Sequence, residues 1–148
     1  MHRLNILKYI LPLILTHSLS TLAQAEVKWD GQYDIQQKRM RILASIPEGW
    51  HIYSQFVAPE IGPVPTSFAL KPSSGIKCIG RVEQPTPIQQ YDDAFGALLD
   101  YFEGEVLFSQ QLKVKKTGTV QCTISYMMCD KTMCLPPTEK QLLITIKK

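Results

Sequence analysis

Cys129 and Cys134 are separated by four residues, Asp130-Lys131-Thr132-Met133. Two thiols at that spacing can close a local disulfide, exchange it with the thiols of another protein, or contribute to a metal site. The Cα atoms of a disulfide usually lie about 4.4 to 6.8 Å apart, and the two ends of a short hairpin connection can come that close. Loop entropy makes so short a ring worth about 2 kcal/mol, which suits a bond that is made and broken as well as it suits a staple. Structural zinc usually draws on two close ligand pairs. Here one close cysteine pair exists and His51 is the sole histidine after residue 25, so no metal or cofactor is expected.

Pro136 and Pro137 follow Cys134-Leu135; lacking amide donors and fixed in φ, they stiffen the chain that leaves the pair. The other two cysteines, Cys78 and Cys122, fall in apolar, strand-like segments. There a thiol is either a buried, inert side chain or half of a structural disulfide. A Cys78–Cys122 bridge would close a ring of about 45 residues and contribute on the order of 4 kcal/mol. That bridge is the candidate structural disulfide, with buried free thiols as its alternative.

The segments that must position these cysteines are short and punctuated by Pro and Gly. Strands are expected at 40–46, 50–53, 66–70, 76–82, 97–102, 105–114, 120–128 and 142–146, with turn chemistry at Pro47-Glu48-Gly49, Lys71 to Gly75 and Lys115 to Gly118. Residues 91–96 read as a polar stretch, and Ala97 to Leu99 could be locally helical. Alternation from Val120 puts Cys122, Ile124, Tyr126 and Met128 on one face, with Cys129 at the strand end. Many short strands without an amphipathic helix argue for an all-β chain, an antiparallel immunoglobulin-like β-sandwich.

The N-terminus is different. Arg3 and Lys8, an apolar run fading towards Leu22, and the triplet Ala23-Gln24-Ala25 form the order of a secretory signal peptide, with residues 1–25 removed before Glu26. Pro12 and His17 break the run, which is shorter than the roughly 18 to 20 residues of a spanning helix. Residues 26–148 are then one soluble exported domain. Arg3 and Lys8 leave with the signal and no acidic residue does, so the formal charge falls from +3 to +1. A nearly neutral chain with no basic run has no electrostatic footprint for nucleic acid. Four cysteines in an oxidising compartment point to disulfides.

The stretch Val120 to Cys129 running into Cys134-Leu135-Pro136-Pro137-Thr138-Glu139 resembles the active-site strand and loop of the N-terminal periplasmic domain of the DsbD family of thiol:disulfide interchange proteins. Gly49 to Gln55, Gly62 to Phe68, Tyr91 to Gly96, Tyr101-Phe102 and Phe108 to Gln110 extend the likeness over most of the chain after residue 25. The resemblance implies that Cys129 and Cys134 cycle between dithiol and disulfide. Cys134 would form mixed disulfides with partners and Cys129 would resolve them. It implies a cap over the pair at Asp93-Ala94-Phe95-Gly96, with Phe95 as lid and Asp93 close enough to disfavour thiolate formation. Tyr53, His51 and Tyr126 would line the site, His51 standing where the family often has an aromatic. Partners would be thioredoxin-like or disulfide-isomerase proteins, proteins of cytochrome c maturation and a membrane electron carrier. Because the chain ends at Lys148, just past the last expected strand, a stand-alone periplasmic monomer without the family's membrane and thioredoxin-like modules is expected. The reading from a different class is a scaffold sandwich in which Cys129 and Cys134 are only a staple.

Overall fold

Along Arg39–Ser45 the residues Met40, Ile42 and Ala44 alternate with polar or half-exposed neighbours, and this period of two buries one face of a strand. The same alternation recurs along Glu105–Val114 and Gly118–Tyr126, burying Val106, Phe108, Gln110 and Leu112 in one and Val120, Cys122, Ile124 and Tyr126 in the other. A computed structural model describes residues 25–58, 60 and 62–148; the expected signal peptide lies outside the described residues, apart from Ala25.

Eleven strands occur among the described residues: β1 (Lys28–Asp34), β2 (Arg39–Ser45), β3 (His51–Tyr53), β4 (Ser67–Pro72), β5 (Ile76–Glu83), β6 (Ile88–Asp92), β7 (Ala97–Phe102), β8 (Glu105–Val114), β9 (Gly118–Tyr126), β10 (Met128–Cys129) and β11 (Thr138–Ile146). They form three sheets, in the orders β1-β2-β8-β5, β11-β9-β4 and β10-β3-β7-β6, and every pairing is antiparallel. The chain is an immunoglobulin-like antiparallel β-sandwich, as expected.

The first two sheets enclose the main core. Trp29 of β1 reaches across to Phe68 of β4 and Tyr126 of β9, with ring centroids 6.2 and 5.4 Å away, and lies 6.0 Å from Phe108 of β8. At Gly31 the approach of β1 to β11 is so close that a Cβ would lie 2.5 Å from Ile144 Cδ1, so only glycine fits without displacing a buried isoleucine.

Three local expectations change. Ala97 to Leu99 is the start of β7 and not a helical turn, because Leu99 must bury its side chain between neighbouring strands. Of the polar residues before it, Tyr91 and Asp92 end edge strand β6, whose exposed positions hide the usual apolar pattern, and 93–96 form a turn. The expected continuous strand from Val120 to Met128 breaks at Met127, and Met128–Cys129 pair instead with β3.

The third sheet serves two cores. Ile52, Phe102 and Met128 point into the main core, while their chain neighbours Tyr53, Met127 and Cys129 join Val57 and Leu99 in a second apolar cluster. Phe95, Ala97, Tyr101 and Cys134 pack against the second cluster.

Candidate functional site

Cys129 and Cys134 are joined by a disulfide with Cα atoms 4.0 Å apart. They form an antiparallel bridge position at the base of a tight hairpin. The Asp130 amide donates to Met133 O (2.9 Å) on the loop side and the Leu135 amide donates to Met128 O (2.8 Å) on the strand side, so hydrogen bonds bracket the sulfur pair.

The loop between them is organised by one side chain. Asp130 Oδ1 accepts the amides of Thr132 (2.7 Å) and Met133 (2.8 Å) and the Thr132 hydroxyl (2.9 Å). This is an Asx turn. Those backbone bonds hold the Asp130 carboxyl below its ordinary range, because they favour the charged acceptor.

The two cysteines differ in exposure. Cys129 is 1 % exposed and forms part of the second apolar cluster, whereas Cys134 is only partly buried. Both line a cleft of about 500 Å³, whose walls include His51, Tyr53, Asp92, Asp93 and Tyr101.

Behind the cysteines runs a hydrogen-bonded chain. The Tyr53 hydroxyl donates to Asp92 Oδ2 (2.8 Å) and lies 3.1 Å from His51 Nε2. A phenol that gives its proton to Asp92 can only accept from the imidazole, so His51 carries its proton on Nε2. Burial lowers the His51 pKa against the opposing pull of Asp92, Glu103 and Asp130. Burial first, then the bond to Asp92, pushes the Tyr53 hydroxyl far above its ordinary range. Tyr53 is therefore a neutral donor here and not a base.

Most of the expected site residues gather at this end of the sandwich. Phe95 packs against the cluster that contains Cys129, with its ring edge-on to Tyr53 at 6.0 Å between centroids. His51 packs against Tyr101 at 4.8 Å. Asp93 is on the cleft wall but exposed, and among the described residues its carboxylate makes no hydrogen bond. Its neighbour Asp92 makes them instead. Sequence reasoning missed Asp92, although a signal was present: in Asp92-Asp93-Ala94-Phe95-Gly96 the first Asp occupies the opening position of a turn that ends on glycine. Gly96 has φ +64° and donates its amide to Asp92 O at 2.7 Å.

Tyr126 does not line the site. It shares the inward parity of Cys122 and Ile124 and is 2 % exposed in the main core against Trp29. Cys78 and Cys122 are free thiols and not the expected bridge. They lie on β5 and β9, in different sheets of the sandwich, each filling space in or against the main core as a small apolar side chain. Burial pushes the Cys122 thiol up to about 12 and raises Cys78 as well, so neither is poised as a thiolate. Among the described residues no group of three or more His, Cys, Asp or Glu side chains is arranged to hold a metal ion.

An immunoglobulin-like sandwich bearing a hairpin disulfide on a cleft, with one cysteine more exposed than the other, has the arrangement that thiol–disulfide exchange requires. The family model of the thiol:disulfide interchange protein DsbD, N-terminal, matches residues 19–146, and the chain belongs to that family. Solved structures agree on the fold. The reduced DsbD N-terminal domain of Neisseria meningitidis is 13 % identical, with a TM-score of 0.57 over 82 % of this chain and 86 % of that one. The complex between the DsbD and PilB N-terminal domains from the same organism gives 11 % identity and a TM-score of 0.58 over 79 % and 80 %. The N-terminal periplasmic domain of ScsB from Proteus mirabilis gives 18 % and 0.54, over 86 % of this chain and 48 % of that one. No curated protein matches the chain.

Proposed function

We propose that residues 26–148 act as an exported, periplasmic thiol–disulfide carrier, released from the signal 1–25, that passes electrons to oxidised partner proteins through Cys129 and Cys134. The observation that carries this reading is the unequal exposure of the two cysteines that line the cleft, Cys134 partly exposed and Cys129 only 1 % exposed. Exchange needs an attacking thiolate that a partner can reach and a second thiol close behind it.

In the reduced domain the Cys134 thiolate attacks one sulfur of a partner disulfide. The partner's S–S bond breaks, its other sulfur leaves as a thiolate and takes up a proton, and a mixed disulfide to Cys134 forms. Cys129 gives up its proton and attacks Cys134 Sγ. The mixed bond breaks, the partner leaves as a dithiol carrying two more electrons and two more protons, and Cys129–Cys134 is closed. Recharging is the reverse, with a thioredoxin-like module or a membrane electron carrier as dithiol donor. Partners with a thioredoxin fold, including disulfide isomerases, fit a small cleft with one reachable sulfur. The complex of a related DsbD N-terminal domain with a PilB domain is in keeping with such a partner.

Mixing the reduced Cys129→Ser variant with an oxidised thioredoxin-fold protein should trap an adduct through Cys134, identified by peptide mapping. Absence of an adduct with every such partner tried would overturn the reading. The potential of the Cys129–Cys134 bond separates carrier from staple: a value of about −200 to −270 mV belongs to exchange proteins, and one below about −300 mV to structural disulfides.

A further inference from the structure

The exchange cycle leaves one proton without a destination. Cys129 must lose it before its sulfur can attack Cys134, yet Cys129 is 1 % exposed and belongs to the second apolar cluster. A thiol so buried meets little bulk water, and burial by itself disfavours its thiolate. A base fixed beside the sulfur is therefore needed.

His51 stands in that position. It is the direct ladder partner of Cys129, and opposed residues of an antiparallel pair share one face with Cβ atoms about 4.5 to 5.5 Å apart. Both residues line the same cleft. The tip of the ring, Nε2, is engaged with the Tyr53 hydroxyl at 3.1 Å, and Tyr53 in turn donates to Asp92. Nδ1 is bonded to the ring carbon that joins the side chain, so it stays at the end of the ring nearer the ladder. Among the described residues it makes no hydrogen bond, and with the proton on Nε2 its lone pair is free.

The other titratable groups of the cleft are less fit. Asp92 already accepts three hydrogen bonds, from Tyr53 and from the amides of Ala94 and Phe95. Asp130 also accepts three, and its backbone bonds hold the carboxyl below its ordinary range. Burial pushes the Tyr53 and Tyr101 hydroxyls up, and they give their protons to Asp92 and Gln90. Asp93 and Glu103 are exposed carboxylates on the wall, weaker bases than an imidazole. Lys131, also exposed there, is a cation with no lone pair to offer.

We propose that His51 is the proton acceptor for Cys129: as Cys129 attacks Cys134 Sγ in a mixed disulfide, its proton passes to His51 Nδ1, the bond from Cys134 to the partner breaks, and the partner sulfur leaves with the electron pair. The imidazolium then returns the proton to the departing thiolate or to solvent, which restores the neutral ring. The proposal rests on the exchange reading. Burial lowers the His51 pKa, against the opposing pull of Asp92, Glu103 and Asp130, so the ring is neutral and able to accept a proton at about pH 7.

The test uses the reduced Cys78→Ser protein, which lacks the half-exposed free thiol, and one equivalent of dithiobis(nitrobenzoate). Attack by Cys134 releases the first nitrothiobenzoate and leaves the second as a mixed disulfide, which attack by Cys129 then releases. Stopped-flow absorbance follows both phases as a function of pH. The second phase should climb through the titration of His51, level off, and climb again only where Cys129 itself ionises. In His51→Gln, whose amide can still donate to Tyr53 but takes no proton, the lower step disappears. Its second phase should be about a hundredfold slower at about pH 7 and draw level at high pH, with the first phase within a few-fold of the parent. A parent-like second phase in His51→Gln overturns the proposal. So does an equal slowing of both phases, or a slowing that does not narrow at high pH, because either assigns the effect to access or packing. If His51→Gln does not fold, the unaltered ring decides: the lower inflection of the second phase must coincide with the titration midpoint of the His51 proton resonances in the same reduced protein, and a profile with no inflection there sinks the proposal. The reagent needs no protein partner, so failure of exchange with thioredoxin-fold proteins and failure of the proton transfer are separate results.

Discussion

His51 lies directly opposite Cys129 in the short ladder between β3 and β10. The ladder puts an ionisable residue opposite the buried Cys129, and its bond to Tyr53 carries the contact on to Asp92 and the turn at 93–96. Titration of His51 is therefore felt at the base of the site.

Burial holds the folded pKa of His51 below its ordinary value, so the unfolded chain binds this proton more readily. The stability gained from the neutral ring is present above about pH 6.5 and is lost as the pH falls through the depressed folded value. Urea midpoints between about pH 7 and pH 5 should fall in the parent protein and stay flatter in His51→Phe. Equal slopes in the two proteins would contradict this.

Asp130 organises the loop that brings the two thiols together. Asp130→Ala removes all three bonds of the turn, so the reduced thiols spend less time within reach of each other. The disulfide should become several-fold easier to reduce in a dithiol redox buffer, a shift of up to about 30 mV, with Asp130→Asn, a neutral acceptor, falling between Asp130→Ala and the parent. The carboxyl is depressed by backbone bonds, so its contribution is present above the ordinary carboxylate range and disappears as the pH falls through the lowered value.

Two thiols per chain should react with a thiol reagent after denaturation without reductant, those of Cys78 and Cys122. In the native protein Cys78 should react slowly and Cys122, fully buried, last. No reactive thiol after denaturation would mean the pair is bridged.

Cys122→Ser leaves a hydroxyl in the main core with no designed partner and should cost about 1 to 3 kcal/mol by urea denaturation. Cys78→Ser, half-exposed, should stay within about 0.5 kcal/mol of the parent.

Gly31→Val tests how closely β1 and β11 are packed. The added Cβ falls on the buried Ile144 side chain, and overpacking of this kind costs about 1 to 3 kcal/mol. A neutral result would show that the two strands can separate to make room.

The strands with strong alternation, β2, β8 and β9, were legible because one face of each is buried and the other is not. The edge strand β6 was not, since an edge with both faces largely exposed carries no apolar period. The cysteine pair was legible by type and spacing, and the Pro-Pro stop and turn residues around it follow from local chain stiffness. The sequence by itself thus determined the β class, the hairpin that joins Cys129 to Cys134, and the chemistry open to two such thiols. Tertiary structure alone decided the rest, because strand parity assigns a side chain to a face but not to a neighbour on another strand. It sent Tyr126 and Cys122 to the main core and Cys129 to the second cluster. It left Cys78 and Cys122 unbridged, and of two adjacent aspartates it gave Asp92, rather than Asp93, the bonds to Tyr53 and to the turn at 93–96.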